Sequence, residues 1–322
     1  MVPNAAAIDR FSHDLAALVA PSARIGLAVS GGPDSIALLL LAAAARRGKV
    51  EAATVDHALR PESLDEARLV GGHCDRLSVG HRILKVEWDQ KPQTAIQEKA
   101  RLARYSLLSA WARERNLDAV ATAHHLDDQA ETFVMRLNRG AGVRGLAGMR
   151  PSGTVPGGRL PLLRPLLGWR RAELEAVCSA AGVDTVADPS NDDDQFERIR
   201  VRRALANAAW LDRTGVAASA SNLRDAHAAL NWAAVREWQY SVFEIEGEIL
   251  YRATGAPSEI RRRIVARAVA RLATEGRGTE LRGRELNQLL QELGSGGKAT
   301  IRGVLCTGGS DWRFSAAPPR RR

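Results

Sequence analysis

The hexapeptide Ser30-Gly31-Gly32-Pro33-Asp34-Ser35 lies between two apolar stretches of different kind. Residues 25–29, Ile-Gly-Leu-Ala-Val, suit a buried strand of a parallel sheet. Residues 36–45 are rich in leucine and alanine and suit a buried helix. The hexapeptide is therefore a strand–turn–helix corner, and a chain with such a corner is constrained to an α/β fold. Gly31 and Gly32 let the backbone approach a ligand closely. Ser30 and Ser35 add hydroxyl groups, and Pro33 belongs to the same turn. Open N–H groups at the helix start, with the helix dipole, favour an anion. Asp34 would repel phosphate unless it holds a divalent cation that bridges to phosphate oxygens, which makes it the candidate metal ligand. A Gly-Pro turn that merely caps a helix is the plainer alternative, but the flanking strand and helix favour a phosphate site. The corner contains no lysine and no G-x-x-x-x-G-K-[ST], and it is not G-x-G-x-x-G.

The rest of the first two hundred residues alternates in the same way. Residues 1–20 read as an amphipathic helix with Phe11, Leu15 and Leu18 on one face. Strands are expected at 50–55, 81–86 and 119–123, and helices at 64–77 and 94–116, with a fifth helix beginning at His124. This predicts a doubly wound parallel sheet. Ligands of such sheets sit beyond the C-terminal strand ends. Three marked stretches fall there: the Ser30 corner, Asp56-His57 and His124-His125. Residues 151–158 read as a Pro- and Gly-rich loop, and 170–181 as a helix ending at Gly182.

Beyond about residue 210 the text becomes helical and arginine-rich, without strand–helix alternation until 298–313. We expect one domain over 1–207 and a mainly helical, basic domain over 208–322. The chain carries a net charge of +9, and residues 211–322 hold 18 Lys+Arg against 12 Asp+Glu. A polyanionic partner is one reading of this excess; an arginine-rich solvated surface is the other. The last residues, 318–322, read as a disordered basic tail. Cys74, Cys178 and Cys306 form no C-x-x-C pair, which argues against a zinc knuckle or disulfide framework and for a reducing cytoplasm. The N-terminus lacks signal-peptide features, and no apolar run is long enough to span a bilayer.

A second constellation is His124-His125-Leu126-Asp127-Asp128-Gln129-Ala130-Glu131-Thr132. At a helix start His124 and Asp128 would share one face, as would Asp127 and Glu131. A carboxylate beside an imidazole can orient it or share a proton with it. An acidic N-terminal cap or a solvated helix is the bland alternative.

Together, S-G-G-P-D-S and H-H-L-D-D-Q-A-E-T resemble motifs of the tRNA(Ile)-lysidine synthases, a family of N-type ATP pyrophosphatases with a PP-loop. Val55-Asp56-His57-Ala58-Leu59-Arg60 is similar to the family's V-D-H-G-L-R, and residues 100–105 to its A-R-x-x-R-Y. Residues 139–149, Arg164-Pro165-Leu166-Leu167 and Asp188-Pro189-Ser190-Asn191 also match, so the resemblance covers about 22–205. Ala123 departs from a usual glycine. Arg198-Ile199-Arg200-Val201-Arg202-Arg203 departs from R-N-x-x-R and leaves open which of these arginines is catalytic.

The resemblance implies an adenine nucleotide alpha hydrolase-like fold. It also implies adenylylation, by ATP with Mg²⁺, of the wobble cytidine of a CAU-anticodon tRNA(Ile), followed by attack of free lysine. Ser30 to Ser35, Asp56, His57, Arg101 and Arg104 become candidates for the nucleotide, and Asp34 for the metal. Asp34, His124, Asp128, Arg198 and Arg202 become candidates for catalysis, and Asp127 and Glu131 for the lysine ammonium. A basic second domain would hold tRNA, and a homodimer is compatible. A PP-loop tRNA thiolase is the nearest rival, but its cysteines are not placed in these motifs. An amidotransferase would need a glutaminase that is not readable here. A catalytically silent nucleotide- or RNA-binding protein would tolerate loss of Asp34 and His124.

Overall fold

Strand β1 (Ile25–Ala28) pairs in parallel with β2 (Val50–Asp56) on one side and β4 (Ala119–Ala121) on the other. The computed structural model describes residues 1–58, 63–88, 94–185, 197–252, 255–273, 281 and 283–318. The expectations at Leu59-Arg60, 188–194 and 319–322 lie outside the described residues. Outside β2 lies β3 (Gly80–Lys85), and outside β4 lies β6 (Pro161–Leu163), both parallel to their neighbours. Antiparallel β5 (Ser152–Thr154) closes that edge, giving the order β3-β2-β1-β4-β6-β5. The expected loop at 151–158 thus contains a short edge strand. Chain progression reverses between β1 and β4, and such a switch point opens a crevice at the carboxyl ends of both strands.

Neighbouring residues of one strand serve opposite faces, as the pleat requires. Ala52, Ala119 and Ala121 join a core formed with α1 (Ala5–Ala16), α2 (Pro33–Ala45), α3 (Ser63–Arg76) and α7 (Arg171–Ala180). Ala53 and Val120 join the opposite core, with Tyr105, Leu108 and Trp111 of α4 (Ile96–Glu114). Helix α2 is buried from Ser35 to Ala43, which explains why its sequence is apolar all round. The doubly wound parallel sheet is as expected.

The chain divides into two compact units, 1–139 with 148–220, and 140–147 with 221–322. The division falls within α9 (Arg213–Ser241), later than the boundary read from sequence at 207. The second unit holds α10 (Ser258–Leu272) and α11 (Gly283–Gly294), which match the helical expectation. Beside them is a five-stranded antiparallel sheet in the order β7-β8-β11-β10-β9. Its strands are β7 (Val242–Ile245), β8 (Glu248–Tyr251), β9 (Lys298–Ile301), β10 (Val304–Thr307) and β11 (Trp312–Ala316). The hairpin β7–β8 was not expected. Its turn has Glu246 at φ 49° and Gly247 at φ 82°, the two-residue geometry that matches strand twist. Tyr251, Ile264, Val269, Leu289, Leu293 and Phe314 form this unit's core. Among the described residues no helix is long and apolar enough to cross a membrane.

Gly26 in β1 faces the Trp111 ring, and a Cβ there would lie 2.6 Å from Trp111 Cζ3 and 3.0 Å from Leu117 Cδ1. Gly26→Ala is expected to lower unfolding free energy by about 2 kcal/mol, as overpacking of a dense core does. Urea denaturation of both proteins measures the difference.

Candidate active site

The corner after β1 is braced from within. Gly31 adopts φ 93°, in the region glycine tolerates. The buried Ser35 Oγ accepts the amides of Ser30 and Gly31 at 3.1 Å and donates to the Gly32 carbonyl at 2.9 Å. Ser35 thus shapes the loop, while Ser30 is the exposed hydroxyl. Cys178 Sγ, from α7, contacts the Pro33 carbonyl at 3.3 Å. Gly32 is the N-cap of α2 and gives the helix no side-chain cap. A Cβ on Gly32 would meet no protein atom within 4 Å. An uncapped helix start facing open space is suited to a phosphate.

The second turn follows β4. Helix α5 (Leu126–Asn138) starts at Leu126, with His125 as its N-cap. His124 therefore lies outside the helix, and the spacing argument that paired it with Asp128 does not apply. His125 takes that place. Its Nε2 is 3.3 Å from Asp34 Oδ2 and 3.6 Å from Asp128 Oδ2, and its Nδ1 is 3.6 Å from Asp127 Oδ2. Asp34 belongs to the first corner, so the two turns converge. Burial opposes a charge on His125, but the carboxylates of Asp127, Asp34 and Asp128 around the ring override it and raise its pKa to about 10.

The carboxylates of α5 are filled by arginines. Asp128 accepts the His125 amide at 3.0 Å and Arg198 Nη2 at 2.5 Å. Glu131, 4% exposed in its side chain, accepts Arg198 Nε and Arg202 Nε, each at 2.7 Å. Both arginines come from α8 (Glu197–Asn207), four residues apart and hence on one face. Asp127 accepts Arg213 Nη1 at 2.6 Å and the Arg171 amide at 2.9 Å. The His125 ring 3.6 Å away is the main cause that holds the Asp127 carboxyl below the usual range. Asp127 and Glu131, assigned from sequence to a lysine ammonium, are thus already bonded to cations of the chain. Arg171 and Arg213 were missed, since nothing local in their sequence links them to Asp127.

His124 faces the opposite environment. Its Nδ1 is 2.8 Å from Thr122 Oγ1. Burial, followed by the charges of Arg164, Arg198, Arg104 and Arg101, pushes its pKa down to about 3. Arg101 and Arg104 lie over the Tyr105 ring, 5.0 and 5.5 Å from its centroid. Arg104 Nε and Arg164 Nε are buried with no acceptor among the described residues. Burial and then Arg104 lower the pKa of His57, which joins this pocket from the end of β2. Asp56 instead closes its own turn, accepting the Ala58 amide at 2.8 Å and Ser63 Oγ at 2.6 Å. Arg164 follows β6, where the strand-end rule would have pointed to it.

A divalent cation fits at Asp34. Its Oδ1 is buried and has no hydrogen-bond partner among the described residues. No group of three or more potential ligands converges among the described residues. Mg²⁺ bound through one carboxylate, substrate phosphates and water needs no more than this.

Residues 4–209 match the family model of the PP-loop domain, which makes the chain an ATP-using PP-loop protein. The U34-tRNA thiolase NcsA from Methanococcus maripaludis shares the fold, with a TM-score of 0.56 at 15% identity over 75% of this chain and 82% of that one. The tRNA(Ile)-lysidine synthase of Novosphingobium aromaticivorans is 48% identical over 317 residues, 98% of this chain and 95% of that protein. The enzyme of the same name from Zymomonas mobilis subsp. mobilis is 42% identical over 304 residues, 94% and 91% of the two chains. The chain belongs to the tRNA(Ile)-lysidine synthase family.

A histidine whose folded pKa lies below its unfolded value near 6.5 adds stability above that pH and loses it as pH falls towards 3. Wild type should therefore lose about 2 kcal/mol more than His124→Asn between pH 7 and pH 4.5. Denaturant titrations at the two pH values give the comparison, and equal losses would contradict a buried neutral His124.

Proposed function

We propose that this chain ligates free lysine to carbon two of the wobble cytidine in a CAU-anticodon tRNA(Ile), using ATP and Mg²⁺, in the cytoplasm. The observation that carries the reading is the 3.3 Å approach of Asp34 to His125, which brings the phosphate corner and the histidine turn to one crevice. The names of the relatives supply the substrate. The cytidine O2 attacks the α-phosphorus of ATP, and pyrophosphate leaves. The lysine ε-amine then attacks carbon two, the C2–O2 bond breaks, and AMP departs with that oxygen.

Each step needs charge placed by the chain. The α2 amides, with Arg101, Arg104 and Arg164, receive the phosphates, since guanidinium planes match phosphate oxygens. Asp34 would hold a Mg²⁺ ion, which when bound would supply charge neutralisation for the pyrophosphate leaving group. Asp128, Glu131, Arg198 and Arg202 hold the histidine turn in position. His124 is the proton acceptor for the lysine ammonium. Burial keeps it weakly basic and four arginines add to that, so phosphates arriving among them cancel the arginines' part and raise its basicity. Base catalysis is thus coupled to a filled nucleotide site. Asp127 and Glu131 are occupied, so the lysine ammonium is received elsewhere or by displacing an arginine. The second unit, with its arginine excess, holds the body of the tRNA through phosphates. A homodimer is compatible with this reading.

The three thiols argue against sulfur transfer. Cys74, Cys178 and Cys306 are buried, and burial pushes them up to about 12, 11 and 12. A reactive thiol needs the opposite shift.

Incubation with ATP, Mg²⁺, labelled lysine and the tRNA(Ile) transcript should give labelled tRNA with AMP and pyrophosphate in equal amounts. ATP binding without product under any condition would overturn the assignment. Asp34→Asn should lower kcat at least about 100-fold with the fold unchanged, because charge stabilisation at the leaving group is lost.

A further inference from the structure

Helix α9 carries Trp232, Arg236 and Tyr240 on one outward face, each four residues from the next. Trp232 is 64% exposed and Tyr240 is 71% exposed. The Arg236 guanidinium lies between them, 5.0 Å from the Trp232 ring centroid and 5.8 Å from that of Tyr240. Directly after the helix, Phe243 on the edge strand β7 has the Arg252 guanidinium 4.8 Å from its ring. The opposite face of the helix, with Ala234 and Trp238, is buried. The exposed rings are therefore an addition to the helix's core face.

We infer that this stripe is a stacking platform for unpaired nucleotides of the RNA substrate. The inference rests on the tRNA reading above and names the surface that carries part of the binding. Bases stack on aromatic rings irrespective of sequence, and an arginine plane serves the same purpose. A guanidinium lying on a ring still has N–H edges for a phosphate. Trp232 and Tyr240 are about 12 Å apart along the helix axis, a span of about three nucleotides at roughly 3.4 Å each. Charge favours RNA over a second copy of the chain, since residues 221–322 hold 17 Lys+Arg against 11 Asp+Glu. That excess attracts a polyanion to the unit as a whole, and Arg236 and Arg252 bring positive charge to the rings themselves, beside Glu237, Glu244, Glu246 and Glu248.

The test compares Trp232→Ala with Tyr240→Ala in one chain against Trp232→Phe with Tyr240→Phe. The alanine pair should raise the Kd for the tRNA(Ile) transcript at least tenfold and leave the KM for lysine unchanged. The phenylalanine pair, which keeps the stacking faces, should stay within about threefold of wild type. Thermal melting of each variant separates loss of fold from loss of contact. An alanine pair that binds tRNA as wild type does, while wild type ligates lysine, overturns the stripe alone. An alanine pair that turns a dimer into a monomer with tRNA affinity unchanged assigns the face to a protein interface and also overturns it. Wild type that neither binds nor modifies the transcript overturns both the stripe and the function on which it rests.

Discussion

Four carboxylates, Asp34, Asp127, Asp128 and Glu131, crowd the region where α2 and α5 begin, and their repulsion must be cancelled for the crevice to exist. His125 lies among three of them. Arg198 and Arg202 bind Asp128 and Glu131, and Arg213 binds Asp127. Removing one partner of a buried pair leaves an uncompensated charge and costs about 3–5 kcal/mol, far more than an exposed pair is worth. The arginines are partly exposed, so the penalty concentrates on Glu131, the most buried acid of the set. The electrostatic fabric is also topological, because it fastens α8 and the start of α9 back onto the sheet's carboxyl edge.

That edge exists because the parallel strands β1 and β4 adjoin while the chain winds away from them in opposite directions. Each strand ends in a turn that the sheet cannot cover. The glycine-lined turn offers backbone donors. The histidine turn offers side chains already fixed by arginine. Preorganisation of this kind means that few groups must reorient when charge develops during reaction.

The sheet and the phosphate corner were legible because their signals are local: a short apolar run, two glycines and an apolar helix are contiguous in the chain. The roles within His124-His125 were not, because they turn on where α5 begins. A start at Leu126 sends His125 towards the acids and leaves His124 on the strand end. Arg171 and Arg213 were invisible for another reason, since their partner Asp127 is distant in sequence and the pairing is made by tertiary packing alone. In the second unit, residues 242–251 alternate apolar side chains with glutamates around Glu246-Gly247, a hairpin signal. The long helical text before them masked it. The arginine spacing in α8 was present in sequence, but its meaning required the acidic face that it meets.

Two adjacent histidines with opposite charge states are the chemical consequence of this geometry. His125, ringed by carboxylates, is a cation at neutral pH, with its pKa raised to about 10. His124, buried among arginines, is neutral, with its pKa lowered to about 3. Neighbouring titratable groups driven apart by their surroundings are how one fold supplies a fixed charge and a proton acceptor side by side. The fixed cation balances Asp34 and its neighbours. Burial is the larger cause of the weak basicity of His124 and the guanidinium groups the smaller, so an anion among them would remove only the second. On the function proposed above, in which adenylylation precedes deprotonation of an amine, such a pair would favour that order.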